Sequence, residues 1–564
     1  MNYDDRPWVE SYDHWVEPDL PIPDVPYGQL LDESIRQFPD RPAFHFMGVT
    51  RTYAGLDRDA RRFANFLVEV GCTPGEVVGI NLPNTPQYIV ALAGAVRAGC
   101  VASGVSPLLS PKEMACQLED CGARVLVTLD ALFEHKLLKI QDRAPRLSHI
   151  VATNIADYLP RTKRLLGKAL KKIPSGKVGA VPGKTVISFM DVLRRHPPTC
   201  PQASTKPGDT FLIQYTGGTT GLPKGAELSH RNLVANTCNA VNWFDARRGS
   251  EVYCSGFPFF HMAGLCLCLA VLAMGNTQIL IPDPRNTAHI CKEFARYRPA
   301  FLFNVPSLYQ MLLDEPRFKR LDFSQCRFCG SAASPLTAES FRALERIVGP
   351  GKVLELYGMT ETGPLLTANP HQGQKKIASI GLALQNTRIK IVDLETGTQE
   401  VPIGEKGEII AQGPQVMKRY HNRPEETAHA LREFQGQRWM FTGDVATMDQ
   451  DGYIFIVDRA KDMINVGGFK VFSKETEETL YEHPAVECCA IIGVPNPKRP
   501  GSQLVKAVIQ PKSSFREQDA KQLEQEIVDY CRETMAPYKV PKIVQFIDQM
   551  PMTAVGKVDK KALR

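Results

Sequence analysis

Apolar residues in the first part of the chain follow two alternating rhythms. In DRDARRFANFLVEVG (57–71) they recur at helical spacing among charged residues, and Gly71 supplies a stop. EVVGINLP (76–83) is instead a short apolar run of the kind a buried strand shows. QYIVALAGAVRAG (87–99) reads as a second helix and ARVLVTLD (123–130) as a second strand. From about Pro26 to Leu129 this βα alternation predicts a largely parallel sheet covered by helices. The rhythm returns after Phe211, with strands expected at Gln278–Ile281 and Ala300–Asn304.

From Thr387 the pattern changes. TRIKIVD and GEKGEIIAQG are closely spaced strands separated by turn residues, which predicts a smaller, β-barrel-like lobe. A last strand ends near Val457-Asp458-Arg459. Beyond it a tail of about a hundred residues mixes strands (CCAIIGVP, LVKAVIQP) with a helix (EQDAKQLEQEIVDYCRETM). The fold class expected is α/β: a large N-terminal domain (1–458) of two βα-layered subdomains plus the small lobe, then a smaller α+β C-terminal domain (462–564).

A length of 564 residues agrees with several lobes, because one core rarely grows beyond roughly 250–300 residues. The net charge of +6 is small for that length, so nucleic acid is not an expected partner. Fifteen cysteines lie scattered through apolar stretches, with no pattern of a disulfide framework; a reducing, cytoplasmic setting follows as the expectation. The polar, acidic start MNYDDRPWVESYDHW does not read as a secretory signal. The longest uncharged apolar run, Gly264 to Met274, is shorter than the ~20 residues of a membrane span and reads as core.

One insertion stands apart. Between Tyr158 and Met190 there are eight Lys/Arg and no Asp or Glu. Leu165, Leu166, Ala169, Leu170 and Ile173 recur there at helical spacing, with Lys163, Arg164, Lys168, Lys171 and Lys172 between them. Two readings stand side by side: a solvated loop with a short helix, and a basic amphipathic helix that touches an anionic membrane surface.

The stretch YTGGTTGLPKGA (215–226) reads as a loop shaped around phosphate. It is not a Walker loop, because Lys224 is followed by Gly225 rather than by a hydroxyl residue. Gly217, Gly218 and Gly221 allow backbone N–H groups to approach an anion, Thr216, Thr219 and Thr220 add hydroxyls, and Lys224 adds charge.

That stretch resembles the phosphate signature of the acyl-adenylate-forming (AMP-binding) superfamily. Further pieces follow in the family's order: FPFFHMAG (257–264), GSAASPL (330–336), YGMTET (357–362), FTGD (441–444), VDRAKDMI (457–464) and PMTAVGK (551–557). The resemblance implies two half-reactions. A carboxylate first attacks the α-phosphate of ATP to give an acyl-adenylate and pyrophosphate; a thiol then takes the acyl group and releases AMP. ATP, Mg2+ and coenzyme A are the implied cofactor and co-substrates. By the same resemblance, residues 216–224 hold the phosphates, and Glu361, with Thr216, holds the metal. Tyr357 and Gly358 wall the adenine opposite Gly330, Ser331 and Ala332, with Glu355 and Thr360 in the same nucleotide set. Asp444 accepts from the ribose hydroxyls, with Arg459 in support. His261 orients the carboxylate, and Lys557 reaches in from the tail to the carboxylate and α-phosphate. The C-terminal domain is expected to rotate about a hinge at 459–461, centred on Lys461, bringing Gly467 and Gly468 to the site for the thiol step.

As the chain stops soon after Lys557, no carrier domain is expected in cis, and free coenzyme A is the acceptor. The basic insertion and DRAKDMINVGGFKVFSKETEETLYEHPAV are most similar to bacterial long-chain fatty-acid–CoA ligases, so a long-chain fatty acid is the expected substrate. Medium-chain or aromatic acids are the alternative, and a binding or uptake protein with weak ligation a further one. Oligomeric state is open, a homodimer included. The chain departs from the family pattern at Ser473 and Thr476, where a proline and an isoleucine are usual, and at Leu265, where some fatty-acid ligases carry a tryptophan. The lone C-x-x-C at Cys326 and Cys329 has no second pair and reads as strand packing rather than zinc.

Overall fold

The computed structural model describes residues 2–170, 173–199, 203–216, 223–467, 469–497, 499, 502–553 and 558–564. Two large sheets carry the first four hundred residues. In one, Thr210–Thr216, Val101–Gly104, Val77–Asn81, Val125–Leu129, His149–Thr153 and Thr185–Ser188 lie side by side and parallel. Lys224–Ser229 and Arg419–Tyr420 extend that sheet antiparallel at the Thr210–Thr216 edge. In the other, Val353–Gly358, Phe328–Ser331, Phe301–Asn304, Val252–Ser255, Thr277–Leu280 and Pro42–Phe46 form the parallel centre, with antiparallel strands at both edges.

Helix Pro86–Arg97 is buried along its whole length and helix Met262–Ala273 along nearly all of it, which explains why both read as apolar on every side. Close approach is needed at Gly94, where a Cβ would meet the Phe63 ring at 2.8 Å and the Ala60 carbonyl at 3.0 Å. Arg97 ends the first of these helices in the core, and its guanidinium is held by Asp32 at 2.6 Å and Asp57 at 2.5 Å. A buried cation requires such partners. The N-terminal arm, unread in the sequence, is pinned by Asp13, whose carboxylate accepts the backbone N–H groups of His371, Gln372 and Gly373.

The expected small lobe is an antiparallel sheet of Arg388–Val392, Gly407–Gln412, Gln437–Met448, Leu431–Phe434 and Ile454–Arg459, with the long strand Gln437–Met448 as its spine. After Arg459 come a hairpin (Ile464–Val466, Phe469–Val471), helices Ser473–Tyr481 and Ala520–Thr534, and a sheet of Val486–Pro495, Gln503–Pro511 and Ile543–Phe546. These bury their own core around Leu480, Ile491, Ala507 and Ile527. The fourteen described cysteines are free thiols, and Cys326 and Cys329 are buried in packing as expected.

The basic insertion folds as helix Arg161–Ala169 on the surface, tied down by Arg164 to Asp157 and by Lys163 to the Met47 carbonyl. Leu165 and Leu166 are 69% and 61% exposed, so this helix turns leucines outward. No described helix is long and apolar enough to cross a membrane.

In the second sheet Ser331 and Glu355 are register partners on adjacent parallel strands, both buried. Glu355 Oε1 accepts the Leu336 N–H at 2.9 Å, but its Oε2 and the Ser331 hydroxyl find no partner among the described residues. Burial pushes the Glu355 carboxyl from 4.5 up to about 7. Between those values the folded chain keeps a proton that the unfolded chain releases, so stability falls as pH rises through that window. The wild-type melting temperature is therefore expected to drop, relative to that of Glu355→Gln, as pH rises from about 5 to about 8. A pH-independent difference between the two would contradict the buried-acid assignment.

Candidate functional site

The second sheet and the lobe meet at one carboxylate. Strand Val353–Gly358 delivers Tyr357 to the end of the second sheet, where its hydroxyl donates to Asp444 Oδ2 at 2.6 Å. Asp444 lies on the spine of the lobe, directly opposite Arg459 in the antiparallel register, and Arg459 Nε approaches its Oδ1 at 3.0 Å. Gly443 before it has φ +73°, a turn of the backbone that a side chain resists, and its N–H bonds Glu408. Burial and the adjacent Asp444 push the Tyr357 phenol far up, so it stays a donor. Asp444 in turn holds the Arg459 guanidinium charged. Two donors satisfy part of this carboxylate, and its remaining lone pairs suit neighbouring hydroxyl groups.

A second acid stands nearby in the chain. Glu361 lies in the short turn Thr360–Thr362, with Thr360 buried beside it, and its Oε1 accepts the Tyr420 hydroxyl at 2.6 Å. Burial raises the Glu361 carboxyl above its ordinary range and the Tyr420 bond opposes the shift. Lys224 Nζ stands 5.4 Å from the Tyr420 ring centre, a cation–π distance. Across the strand pair, the Thr216 hydroxyl donates to the Lys224 carbonyl at 3.4 Å. Thr216, Lys224, Tyr420 and Glu361 thus form one continuous rim. Gly217, Gly218, Thr219, Thr220 and Gly221, between the two ends of this rim, lie outside the described residues. Among the described residues no three His, Cys, Asp or Glu side chains converge on a metal-sized point. A divalent cation at Glu361 would need most of its oxygens from elsewhere, which suits magnesium beside phosphates.

Tyr420 was not legible as a site residue. RYHN carries no motif; only the pairing of Arg419–Tyr420 with Lys224–Ser229 brings it beside the loop. The same pairing sets Arg419 and His421 on the buried Glu227 at 3.1 and 2.7 Å. Burial opposes ionisation there, and the hydrogen bonds from His421 and Arg419 win, holding Glu227 below the usual carboxylate range.

The small residues differ in what they do. The space a side chain would take at Gly330 is filled by the Phe303 ring at 2.6 Å and Leu356 at 3.0 Å, so its smallness serves packing within the sheet. Ala332, at the strand end, stays half-buried against Asn304. Gly358 is required by the chain itself: a Cβ there would lie 1.8 Å from the Pro364 carbonyl oxygen. His261 caps helix Met262–Ala273, its Nδ1 accepting the Ala263 N–H at 3.4 Å. Gln214, two residues before Thr216, donates to the Phe260 carbonyl at 2.8 Å and ties strand Thr210–Thr216 to the His261 turn.

Beyond Arg459, Lys461 lies in the turn Ala460–Asp462. Gly467 sits at the hairpin tip with φ +61°, exposed, its N–H donating to the Ser502 hydroxyl at 2.9 Å. The hairpin's Lys470 points to Glu395 of the lobe at 3.5 Å. Gly468 and Lys557 lie outside the described residues.

Comparison with known proteins accounts for this arrangement. Residues 31–421 match the model of the AMP-binding enzyme family, and residues 475–557 match the AMP-binding enzyme C-terminal domain. A long-chain-fatty-acid–CoA ligase of Bacillus subtilis is 36% identical over 570 aligned residues, covering 99% of this chain and 97% of the relative. A ligase of the same description from Escherichia coli O6:H1 is 34% identical, covering 95% and 93%. Among solved structures, an anthranilate CoA ligase in complex with anthranoyl-AMP superposes with a TM-score of 0.81 at 26% identity, covering 100% of this chain and 98% of that one. With the tail lobe matched as well as the large sheets, the chain belongs to the AMP-binding enzyme family.

Proposed function

We propose that this protein is an AMP-forming acid–CoA ligase whose substrate is a long-chain fatty acid. The observation that carries the reading is the meeting of Tyr357, Asp444 and Arg459 where large sheet and lobe converge, in a chain similar over nearly its whole length to long-chain-fatty-acid–CoA ligases. In the first half-reaction a carboxylate oxygen of the acid bonds to the α-phosphorus of ATP and the bond to pyrophosphate breaks. Asp444 accepts from the ribose hydroxyls while Arg459 stays paired with it. Thr216 and Lys224, with the glycines and threonines between them, receive the β- and γ-phosphates, and Tyr357 with Gly358 and Ala332 flanks the base. Glu361 is the magnesium ligand, oriented by Tyr420. Magnesium, when bound, spreads the negative charge of the leaving phosphates. His261 borders the carboxylate, and the Lys557 ammonium neutralises the crowded anions as the new bond forms.

In the second half-reaction the coenzyme A sulfur attacks the acyl carbonyl and AMP leaves. We assign 1–458 to the nucleotide and acyl sites, 459–461 to the hinge, and 462–564 to a domain that swings so that Gly467 and Gly468 replace Lys557. The fatty acid enters from a membrane surface: outward Leu165 and Leu166, set among Arg161, Lys163 and Arg164, suit an anionic interface.

Pyrophosphate release with a panel of acids tests the substrate. Long-chain fatty acids are expected to surpass octanoate-like and cinnamate-like acids by tenfold or more in kcat/KM, about 1.4 kcal/mol of transition-state discrimination. Preference for the aromatic acids would overturn the fatty-acid reading, and acyl-AMP accumulating without thioester in the presence of coenzyme A would overturn the ligase reading. The double variant Leu165→Glu/Leu166→Glu is expected to lose co-sedimentation with anionic-lipid vesicles while keeping its turnover of a detergent-free soluble acid. Unchanged sedimentation would retire the membrane contact.

A further inference from the structure

The last strand of the lobe and the tail domain are clasped at a point that the reaction leaves unused. Ser473 is the first residue of helix Ser473–Tyr481, and both its backbone N–H and its hydroxyl donate to the carboxylate of Asp458, the hydroxyl to Oδ1 at 3.0 Å. Asp458 belongs to strand Ile454–Arg459, hydrogen-bonded into the lobe on the other side of the hinge. The Ser473 hydroxyl also accepts from Lys560 Nζ at 2.7 Å, and the same ammonium reaches Glu477 Oε1 at 2.7 Å. Lys560 opens the terminal helix Lys560–Leu563, whose following residue, Arg564, pairs with Asp462 in the hinge turn at 2.6 Å. Asp458 and Ser473 are buried, and Lys560 is 18% exposed at its side chain, so these bonds are largely shielded from water. Lys474 adds a bond to the Ile456 carbonyl at 2.8 Å.

One hydroxyl therefore joins three pieces: the fixed side of the hinge, the first helix of the tail domain, and the terminal segment only three residues beyond Lys557. Any rotation between Arg459 and Asp462 that carries the helix away from strand Ile454–Arg459 must break it. In the clasped conformation Gly467 is exposed at its hairpin tip, whose Lys470 faces Glu395 of the lobe. We propose that Ser473, with Asp458 and Lys560, is a positioning residue: a clasp that favours the pose for acyl-adenylate formation, sets the reach of Lys557, and must open before the thiol step. This rests on the two-pose reading of the reaction. A chain with proline at 473 cannot make the clasp, since proline lacks both the N–H and the hydroxyl, yet the first position of a helix tolerates it.

Two readouts on Ser473→Pro and Lys560→Met separate the clasp from the chemistry. The first is the distance distribution between site-specific labels at Glu433 in the lobe and Glu524 in the tail domain, in the protein without substrate. It is expected to be narrow in the wild type and broad in both variants. The second is the ratio of the two half-reactions, pyrophosphate release from ATP and palmitate against thioester formation from supplied palmitoyl-AMP. That ratio is expected to fall about tenfold or more in Ser473→Pro, the factor that one lost hydrogen bond to a charged group supplies, and in the same direction for Lys560→Met. An unchanged distribution in folded variants overturns the clasp, as does an equal change in both half-reactions. A wild-type enzyme inert toward fatty acids would count against the substrate reading alone, because the distance measurement needs no substrate.

Discussion

A buried carboxylate is tolerable only where donors surround it, and the placement of Asp444 follows from that constraint. Its two donors in this structure come from different units: a phenol from the end of the large parallel sheet and a guanidinium from the strand that leads into the tail. Removing either would leave this buried carboxylate short of a donor. The sheet, the lobe and the strand that leads out of it are therefore held in one geometry by the same group that we propose as the ribose acceptor. Structure and chemistry depend on one side chain.

From that junction the architecture divides its tasks. The large sheets are rigid: helices Pro86–Arg97 and Met262–Ala273 are packed close to side-chain contact on all faces, and even the cation Arg97 is locked between two acids. The rim of Thr216 and Lys224 and the turn at Glu361 stand on the ends of those sheets, so their spacing is inherited from strand register. After Arg459 backbone pairing with the lobe ceases and side-chain bonds through Ser473, Lys560 and Arg564 take over, and this is where we propose the motion lies. Side-chain bonds of this kind can be exchanged in turn, whereas a sheet cannot be unzipped at each turnover.

Much of the fold was legible in the sequence because its elements announce themselves locally. The apolar runs at 76–83 and 123–130 became Val77–Asn81 and Val125–Leu129, Gly71 ends its helix with positive φ, and the change in rhythm at Thr387 marked the lobe. The motifs also led to Tyr357, Asp444 and Arg459, which the structure does bring together. What could not be read was whatever depends on distant pairing. Tyr420 reaches Glu361 only because a two-residue strand joins the sheet edge; Asp13 pins a loop some 360 positions away. That a side chain at Gly330 would meet Phe303 is likewise fixed by the register of adjacent strands. Ser473 stood out only as an unusual residue, since its partners Asp458 and Lys560 lie on separate segments.

The central claim is that Asp444, held by Tyr357 and Arg459, is the acceptor that seats a nucleotide. Calorimetric titration of AMP into the wild type and into Asp444→Asn tests it directly, with circular dichroism confirming that both are folded. The account predicts binding weaker by about tenfold or more in the variant, since an amide oxygen replaces a charged acceptor and an amide donor now faces the ribose hydroxyls. Equal affinity in two folded proteins would contradict it.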